Sequence, residues 1–233
     1  MISNNIAALR NRIQKKCLEC GRSVNEIKLI AVSKYFGIDV INQAIDAGIS
    51  DFGENKAQEL HLKFEKIGSK VTWHFIGKLQ MNKVKYAVNC AEFIHSVDSL
   101  ELAEEIARRA EGIGKVQKIL VQVKTSEEET KSGAESEDEV RNILKFCKLD
   151  KNLNALGLMT MAPLTENENL IRKSFRDLRN FLTKFNSEGY QLRELSMGMT
   201  SDFEIAIEEG STMLRIGSAI FGERDYSKKW NEL

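Results

Sequence analysis

Apolar residues follow two different spacings along the chain, and the two spacings alternate. Eight short runs are almost continuously apolar, whereas the segments between them place apolar residues at every third or fourth position. Short apolar runs are typical of buried β-strands, and the wider spacing is typical of amphipathic helices. We therefore predict strands at residues 27–33, 49–53, 71–77, 92–97, 118–123, 155–160, 194–198 and 213–217.

One helix is predicted ahead of the first strand, over residues 3–21, with Gly21 at its end. Four of its apolar residues fall on one helical face: Ile6, Leu9, Ile13 and Cys17. The polar segment 124–135 is predicted to be a loop. A short helical segment that includes Trp230 is predicted to close the chain.

Strands that alternate with helices form right-handed βαβ units around a parallel sheet. Eight such units in 233 residues match the size of a closed (β/α)8 barrel of the TIM type. A doubly wound open sheet is the alternative, but no Gly-x-Gly-x-x-Gly follows the first predicted strand. No linker of low complexity divides the chain. We therefore expect one α/β domain, with an extra N-terminal helix in residues 1–26 and the barrel in residues 27–233.

Composition and charge argue against several classes of partner. The chain is 42% hydrophobic and has 34 basic and 34 acidic residues, so it lacks the basic excess that drives binding to nucleic acid or anionic membranes. No apolar run approaches the ~18 residues of a membrane span, and the first residues lack a signal-peptide core. We predict a cytoplasmic protein without a nucleic-acid or membrane partner, present as a monomer or a weak dimer.

The cysteines do not have the pattern of a metal site. Cys17 and Cys20 form a C-x-x-C pair, which is a spacing found in zinc and redox sites. They lie in a predicted helix without a second such pair, and the three histidines are scattered singly. We interpret the four cysteines as reduced thiols and predict no metal.

The carboxyl ends of the strands carry the active site in a barrel of this type. The first strand ends in Ser33-Lys34, and Lys34 is the only lysine among the predicted strand ends. Exposed lysines are the rule, so Lys34 alone is most simply a solvated strand end. In a barrel mouth, it is also a candidate for Schiff-base chemistry. At other strand ends, we expect Asn55 to face the mouth and His74 to lie inside the barrel.

The loops after the seventh and eighth strands often bind phosphate in this fold. The seventh strand leads into a glycine-containing turn, and residues 201–204 have the pattern of a capping box, which predicts a helix start with unpaired N–H groups. The eighth strand ends in Arg-Ile-Gly, where a guanidinium can pair with an anion. The predicted phosphate site comprises Ser196, Gly198, Met199, Thr200, Arg215 and Gly217.

A lysine opposite a phosphate site fits two chemistries. One is an aldolase that forms a Schiff base with a sugar phosphate, and the other is a protein that binds pyridoxal 5′-phosphate (PLP). The spacing of these residues does not choose between the two.

Seven motifs follow one another along about residues 27–226. They are Ala31–Lys34, Phe52–Asn55 with Gln58-Glu59, Trp73–Gly77 with Leu79-Gln80 and Asn82-Lys83, His95–Asp98, Gly157–Pro163, Leu195–Phe203, and Arg215–Gly217 with Phe221–Arg224. In order and content they resemble the YggS/PROSC family of PLP homeostasis proteins. The residues after Lys34 depart from the family, which usually has Thr and then Pro where this chain has Tyr35-Phe36-Gly37.

The resemblance implies a barrel like the N-terminal domain of bacterial alanine racemases. It also implies that PLP is held covalently on Lys34 as an internal aldimine, with its phosphate on Ser196, Thr200, Arg215 and the Gly217 region. Asn55 is a further candidate contact of the cofactor, and a contact with the cofactor ring is the alternative to the interior position expected of His74.

The implied function is PLP and amino-acid homeostasis, with PLP-accepting apo-enzymes as candidate partners. A racemase needs a second base opposite the first, and Tyr35 is the only tyrosine expected near the mouth. We therefore predict no catalytic residues and no efficient catalysis. A PLP-dependent amino-acid racemase or related enzyme is the alternative.

Overall fold

The computed structural model describes residues 1–126 and 132–223. Its centre is a closed barrel of eight parallel strands, in which neighbours in sequence are neighbours in space and the last strand pairs with the first. The predicted TIM-type barrel is therefore confirmed. The strands are β1 (Lys28–Val32), β2 (Asp51–Glu54), β3 (Thr72–Phe75), β4 (Phe93–Val97), β5 (Gln117–Gln122), β6 (Leu153–Met159), β7 (Glu194–Ser196) and β8 (Met213–Ile216).

Helices surround the barrel, and their order agrees with the alternation predicted from the apolar spacing. They are α1 (Ile2–Glu19), α2 (Ile38–Asp46), α3 (Ala57–Ile67), α4 (Val84–Cys90), α5 (Leu100–Glu111), α6 (Glu137–Leu149), α7 (Glu168–Ser187), α8 (Phe203–Glu208) and α9 (Ser218–Phe221). In the described ranges, no helix combines the length and the apolar character that a membrane crossing requires.

The strands separate two apolar clusters because successive side chains point to opposite faces. Ala31 and Ile94 belong to the main core between the strands and the helices. Their neighbours Ile30 and Phe93 belong to a smaller cluster inside the barrel. His74 also lies inside, fully buried and stacked on the Phe93 ring at 4.8 Å between centroids. The predicted barrel-interior position of His74 is therefore confirmed.

Helix α1 joins the first and the last units of the barrel. Its buried face contains the predicted residues Ile6, Leu9, Ile13 and Cys17. Asn5 Nδ2 donates a hydrogen bond to the Ile220 carbonyl of α9 at 2.9 Å, and Arg10 donates one to the Gly48 carbonyl after α2 at 2.6 Å. Ion pairs connect α1 with α8. The extra N-terminal helix therefore covers the seam where the barrel closes.

Several predicted boundaries near the mouth were wrong, and two of them affect the candidate site. Strand β1 ends at Val32, so Lys34 lies in the following turn rather than at the strand end. The capping box predicted at residues 201–204 is not formed, because α8 begins only at Phe203 and the Asp202 carboxylate accepts the amide of Met199 at 2.5 Å. The helical segment predicted around Trp230 lies outside the described residues.

Candidate functional site

A cavity of about 360 Å³ opens at the carboxyl ends of the strands. Six of the eight predicted site residues line it: Lys34, Asn55, Met199, Thr200, Arg215 and Gly217. The other lining residues, which were not predicted, are Val32, Ile76, Met161, Ser201 and Ser218. The barrel thus collects side chains from distant parts of the sequence at one mouth.

Lys34 lines this cavity from the turn that follows β1. Its side chain is half-buried, so the description of Lys34 as a solvated strand end does not hold. Tyr35, the next residue, has a φ angle of 68°, in the left-handed region that non-glycine residues seldom adopt. A turn of unusual backbone conformation therefore carries Lys34, which is the one lysine among the described residues that line the cavity.

Arg215 is a buried cation on the floor of the cavity, and only 4% of it is exposed. Its guanidinium donates to Ser196 Oγ at 2.7 Å and to the Thr160 carbonyl at 2.9 Å. Burial lowers the pKa of Arg215 to about 10, which still leaves it charged at neutral pH. Within residues 1–126 and 132–223, no carboxylate forms an ion pair with it. The Asp202 carboxylate attracts Arg215 only through a longer-range electrostatic interaction. A buried charge that is only partly compensated is costly, so this floor favours an anionic ligand.

Asn55 brings a second unsatisfied group to the cavity. Its side-chain oxygen Oδ1 is buried and has no hydrogen-bond partner among the described residues. Gly77 allows the Asn55 backbone to lie this close to it, because a Cβ at Gly77 would lie 2.2 Å from the Asn55 carbonyl oxygen. Buried polar groups are normally paired, so this amide is available to a ligand.

A chain of hydrogen bonds runs through the barrel interior below Arg215. Ser196 Oγ lies 2.9 Å from His95 Nδ1, His95 Nε2 lies 2.9 Å from His74 Nδ1, and His74 Nε2 lies 3.0 Å from Asp51 Oδ1. Burial lowers the pKa of both His74 and His95, so both rings are neutral. The sequence predicted that His74 lies inside the barrel but did not predict its contact with His95, since that contact depends on the register of β3 and β4.

The chemistry of these groups determines where each hydrogen lies. The Asp51 carboxylate only accepts, so His74 donates to it from Nε2 and must accept at Nδ1. His95 therefore donates from Nε2 and accepts at Nδ1 from the hydroxyl of Ser196. The single hydroxyl hydrogen of Ser196 is thus used inside the barrel. Ser196 orients Arg215 and has no hydrogen left for the phosphate contact that was expected of it.

Gly198 and Met199 have structural contacts in addition to the binding role predicted for them. Gly198 has a φ angle of 98°, and a Cβ there would lie 2.6 Å from the Ala206 Cβ. This glycine is therefore required for packing against α8. The Met199 amide is already bonded to Asp202. An anion would displace that carboxylate before it could use this amide.

Thr200, Gly217 and Ser218 lie together on the cavity wall. The Thr200 hydroxyl accepts a long hydrogen bond of 3.4 Å from the Ala219 amide and keeps its own hydrogen for donation. Ser218 is the first residue of α9, and the first amides of a helix have no acceptor within the helix. These donors beside Arg215 form a wall suited to a phosphate.

The cysteines and histidines do not gather into a metal centre. Among the described residues, no group of three or more His, Cys, Asp or Glu side chains is placed to hold a metal ion. Cys17 is buried in the packed face of α1, and burial raises the pKa of its thiol.

Comparison with known proteins gives relatives that span nearly the whole chain. The family model of the alanine racemase N-terminal domain matches residues 2–225. The pyridoxal phosphate homeostasis protein of Aquifex aeolicus is 42% identical over 95% of this chain and 97% of its own length. The protein of the same name from Escherichia coli K12 is 37% identical over 98% of this chain and 99% of its own.

Solved structures agree with the barrel. PipY of Synechococcus elongatus, with PLP bound, superposes with a TM-score of 0.84 at 34% identity, covering 95% of this chain and all of that one. An alanine racemase of Clostridium difficile superposes with a TM-score of 0.77 at 15% identity, over 99% of this chain and 60% of the racemase, which is a likeness of fold alone. The chain therefore belongs to the family of pyridoxal phosphate homeostasis proteins, which are built on the alanine racemase N-terminal domain.

Proposed function

We propose that this protein binds PLP and serves intracellular PLP and amino-acid homeostasis without efficient catalysis. The observation that carries the proposal is the buried cation of Arg215, which forms no direct ion pair with a carboxylate in the described ranges and lines the same cavity as Lys34. The names of the relatives and the PLP bound to PipY support it. PLP-accepting apo-enzymes are the partners that such a function requires.

The residues of the cavity fit this cofactor. Lys34 Nζ would hold it covalently, and Arg215 would neutralise its negative charge. Thr200, Gly217 and the first amide of α9 would bind the phosphate oxygens, while the unsatisfied amide of Asn55 would meet a polar group of the ring. PLP supplies a reactive aldehyde and an electron-withdrawing ring. Binding the phosphate, neutralising its charge and orienting the ring are the tasks of these residues.

The cavity lining favours a carrier over a racemase. Among the described residues that line it, Lys34 and Arg215 are the only ones with an acidic or basic side chain. Moving a proton between two faces of a substrate needs two opposed acid–base groups, and Arg215 stays protonated. Exchange of an amino acid's α-proton for deuterium at a useful rate would contradict this conclusion and favour the racemase.

Covalent binding is tested with the purified protein and PLP. We expect a visible absorption band from the imine, and reduction with borohydride should place the cofactor's mass on the peptide that contains Lys34. Lys34→Ala should lose both signals, whereas Lys78→Ala, at an exposed lysine of the same barrel end, should retain them. A wild-type protein that takes up no PLP would overturn the proposal and favour the aldolase alternative.

The charge on the cavity floor is tested with Arg215→Gln. We expect PLP to dissociate about tenfold more readily, or more, because a charge-assisted contact is lost. Arg176→Gln, an exposed arginine on α7, is the matched control and should bind PLP like the wild type. Equal PLP affinity of Arg215→Gln and wild type, measured by equilibrium dialysis, would exclude a role of Arg215 in binding.

A further inference from the structure

Three charged side chains are buried directly beside the turn that carries Lys34. Glu54, Glu59 and Lys63 are 0%, 1% and 5% exposed. Lys63 Nζ lies 2.7 Å from Glu54 Oε1 and 2.8 Å from Glu59 Oε1. None of the three lines the cavity, so none of them is a contact of the cofactor.

The same three side chains hold the backbone on both sides of Lys34. On one side, Lys63 Nζ donates to the Ser33 carbonyl at 2.8 Å, and the Ser33 hydroxyl donates to Glu54 at 2.6 Å. On the other side, the Tyr35 amide donates to Glu59 Oε1 at 2.7 Å. The residue before Lys34 and the residue after it are therefore both tied to one ionic cluster.

This cluster stabilises the turn only at a large cost in desolvation free energy. A buried ion triplet contributes little net stability, because desolvation offsets most of its attraction. Burial raises the pKa of Glu54 to about 7, and Oε2 of Glu54 and of Glu59 have no partner among the described residues. The left-handed conformation of Tyr35 adds backbone strain to this cost. Costs of this kind collect at positions where a fixed geometry serves function.

We propose that Glu54, Glu59 and Lys63 form a clamp that fixes the turn around Lys34 and so determines how fast the protein attaches PLP. The inference rests on the proposed function and adds positioning residues to it. In attachment, the neutral amine of Lys34 bonds to the aldehyde carbon, and its two hydrogens leave with the aldehyde oxygen as one water. A turn that is already rigid before PLP binds holds Nζ in the direction of the aldehyde carbon. This orientation of the reacting groups increases the rate of attachment.

The test compares two substitutions of one residue. Glu59→Leu removes the acceptor of the Tyr35 amide, whereas Glu59→Gln keeps an acceptor oxygen and leaves one anion with one cation in the cluster. We expect Glu59→Leu to slow borohydride-trapped attachment about tenfold, as for the loss of one buried hydrogen bond. Glu59→Gln should stay near the wild-type rate. Glu65→Leu, the same substitution at an exposed residue of α3, is the control.

The same substitution in a Lys34→Ala protein distinguishes an effect on the position of Lys34 from a general loss of the binding site. In Lys34→Ala, PLP can bind only without a covalent bond, so adding Glu59→Leu should leave its affinity unchanged if the clamp acts through Lys34. An equal loss of affinity in that background would overturn the proposal. Ser33→Ala removes only one hydroxyl from the other side of the turn, and it should slow attachment several-fold even if Glu59→Leu folds poorly.

The outcomes also distinguish this inference from the proposed function. Wild-type protein that cannot be trapped with PLP would refute the function itself. Wild-type protein that is trapped normally, with Glu59→Leu and Ser33→Ala trapped at the same rate, would refute the clamp alone.

Discussion

At Gly77 the barrel mouth has room for a hydrogen atom but not for a methyl group. The Cβ of an alanine would lie 2.2 Å from the carbonyl oxygen and 2.7 Å from the Cα of Asn55. We expect Gly77→Ala to displace the Asn55 backbone, to cost about 1–3 kcal/mol of stability, and to weaken PLP binding. Urea unfolding and a PLP titration measure the two effects.

Gly112→Ala is the matched control for that prediction. A Cβ at Gly112 would come no closer than 3.5 Å to the atoms around it, so stability and binding should stay near wild type. PLP affinity of Gly77→Ala equal to that of Gly112→Ala would show that the position of Asn55 is unimportant for binding.

At this scale the sequence predicts where a side chain lies better than what it bonds to. The predicted strand ends were sufficient to predict that Lys34, Asn55 and Arg215 lie at one cavity. The strand ends could not predict that the Ser196 hydroxyl donates its hydrogen to His95, or that the Met199 amide donates to Asp202. The Ser196–His95 pair joins residues far apart in sequence, whereas the Met199–Asp202 pair is a local turn that forms in place of the predicted capping box.

Four strands of the barrel share a single arrangement of protons, which crosses the barrel interior from β4 to β7. Because β2, β3, β4 and β7 each contribute one group, the arrangement from Asp51 to Ser196 is determined along its whole length. ¹⁵N NMR of the imidazoles tests this directly, as the chain has only three histidines. We expect His74 and His95 to be neutral and protonated at Nε2. A hydrogen on Nδ1 of His95 would instead leave the Ser196 hydroxyl to a ligand.

The same two rings make stability depend on pH. Their pKa values are lowered in the folded protein, so below about pH 6.5 the unfolded chain binds protons that the folded chain does not. Stability that is fully present above this pH should therefore fall as the solution is acidified. Urea unfolding at several pH values should give a smaller loss for His95→Gln than for wild type, and equal losses would contradict buried neutral histidines.

At the level of elements, the order of strands and helices followed from apolar spacing, but the start of α8 did not. Residues 201–204 have the composition of a capping box, yet the Asp202 carboxylate pairs with the Met199 amide and closes a turn first. Local pattern predicts that a helix exists more reliably than it predicts the first residue of that helix.

The whole molecule depends on α1 to cover the seam between its first and last units. Leu9 is buried on the inner face of this helix, whereas Leu18 is 71% exposed. We expect Leu9→Ala to destabilise the fold by about 2–4 kcal/mol, because it leaves a cavity in the core. Leu18→Ala should change stability by no more than about 0.5 kcal/mol. Equal midpoints of urea unfolding for the two variants would mean that α1 is not part of the barrel's cooperative core.

The anchoring of α9 to this helix links the N-terminus to the cavity. Asn5 holds the Ile220 carbonyl in α9, and Ser218 at the other end of α9 lines the cavity. A ligand that orders the first turn of α9 therefore also restrains its anchor, so local opening of α1 becomes rarer when the cavity is filled. Amide hydrogen exchange in residues 2–19 should then slow on addition of PLP, although no residue of that helix lies in the cavity lining.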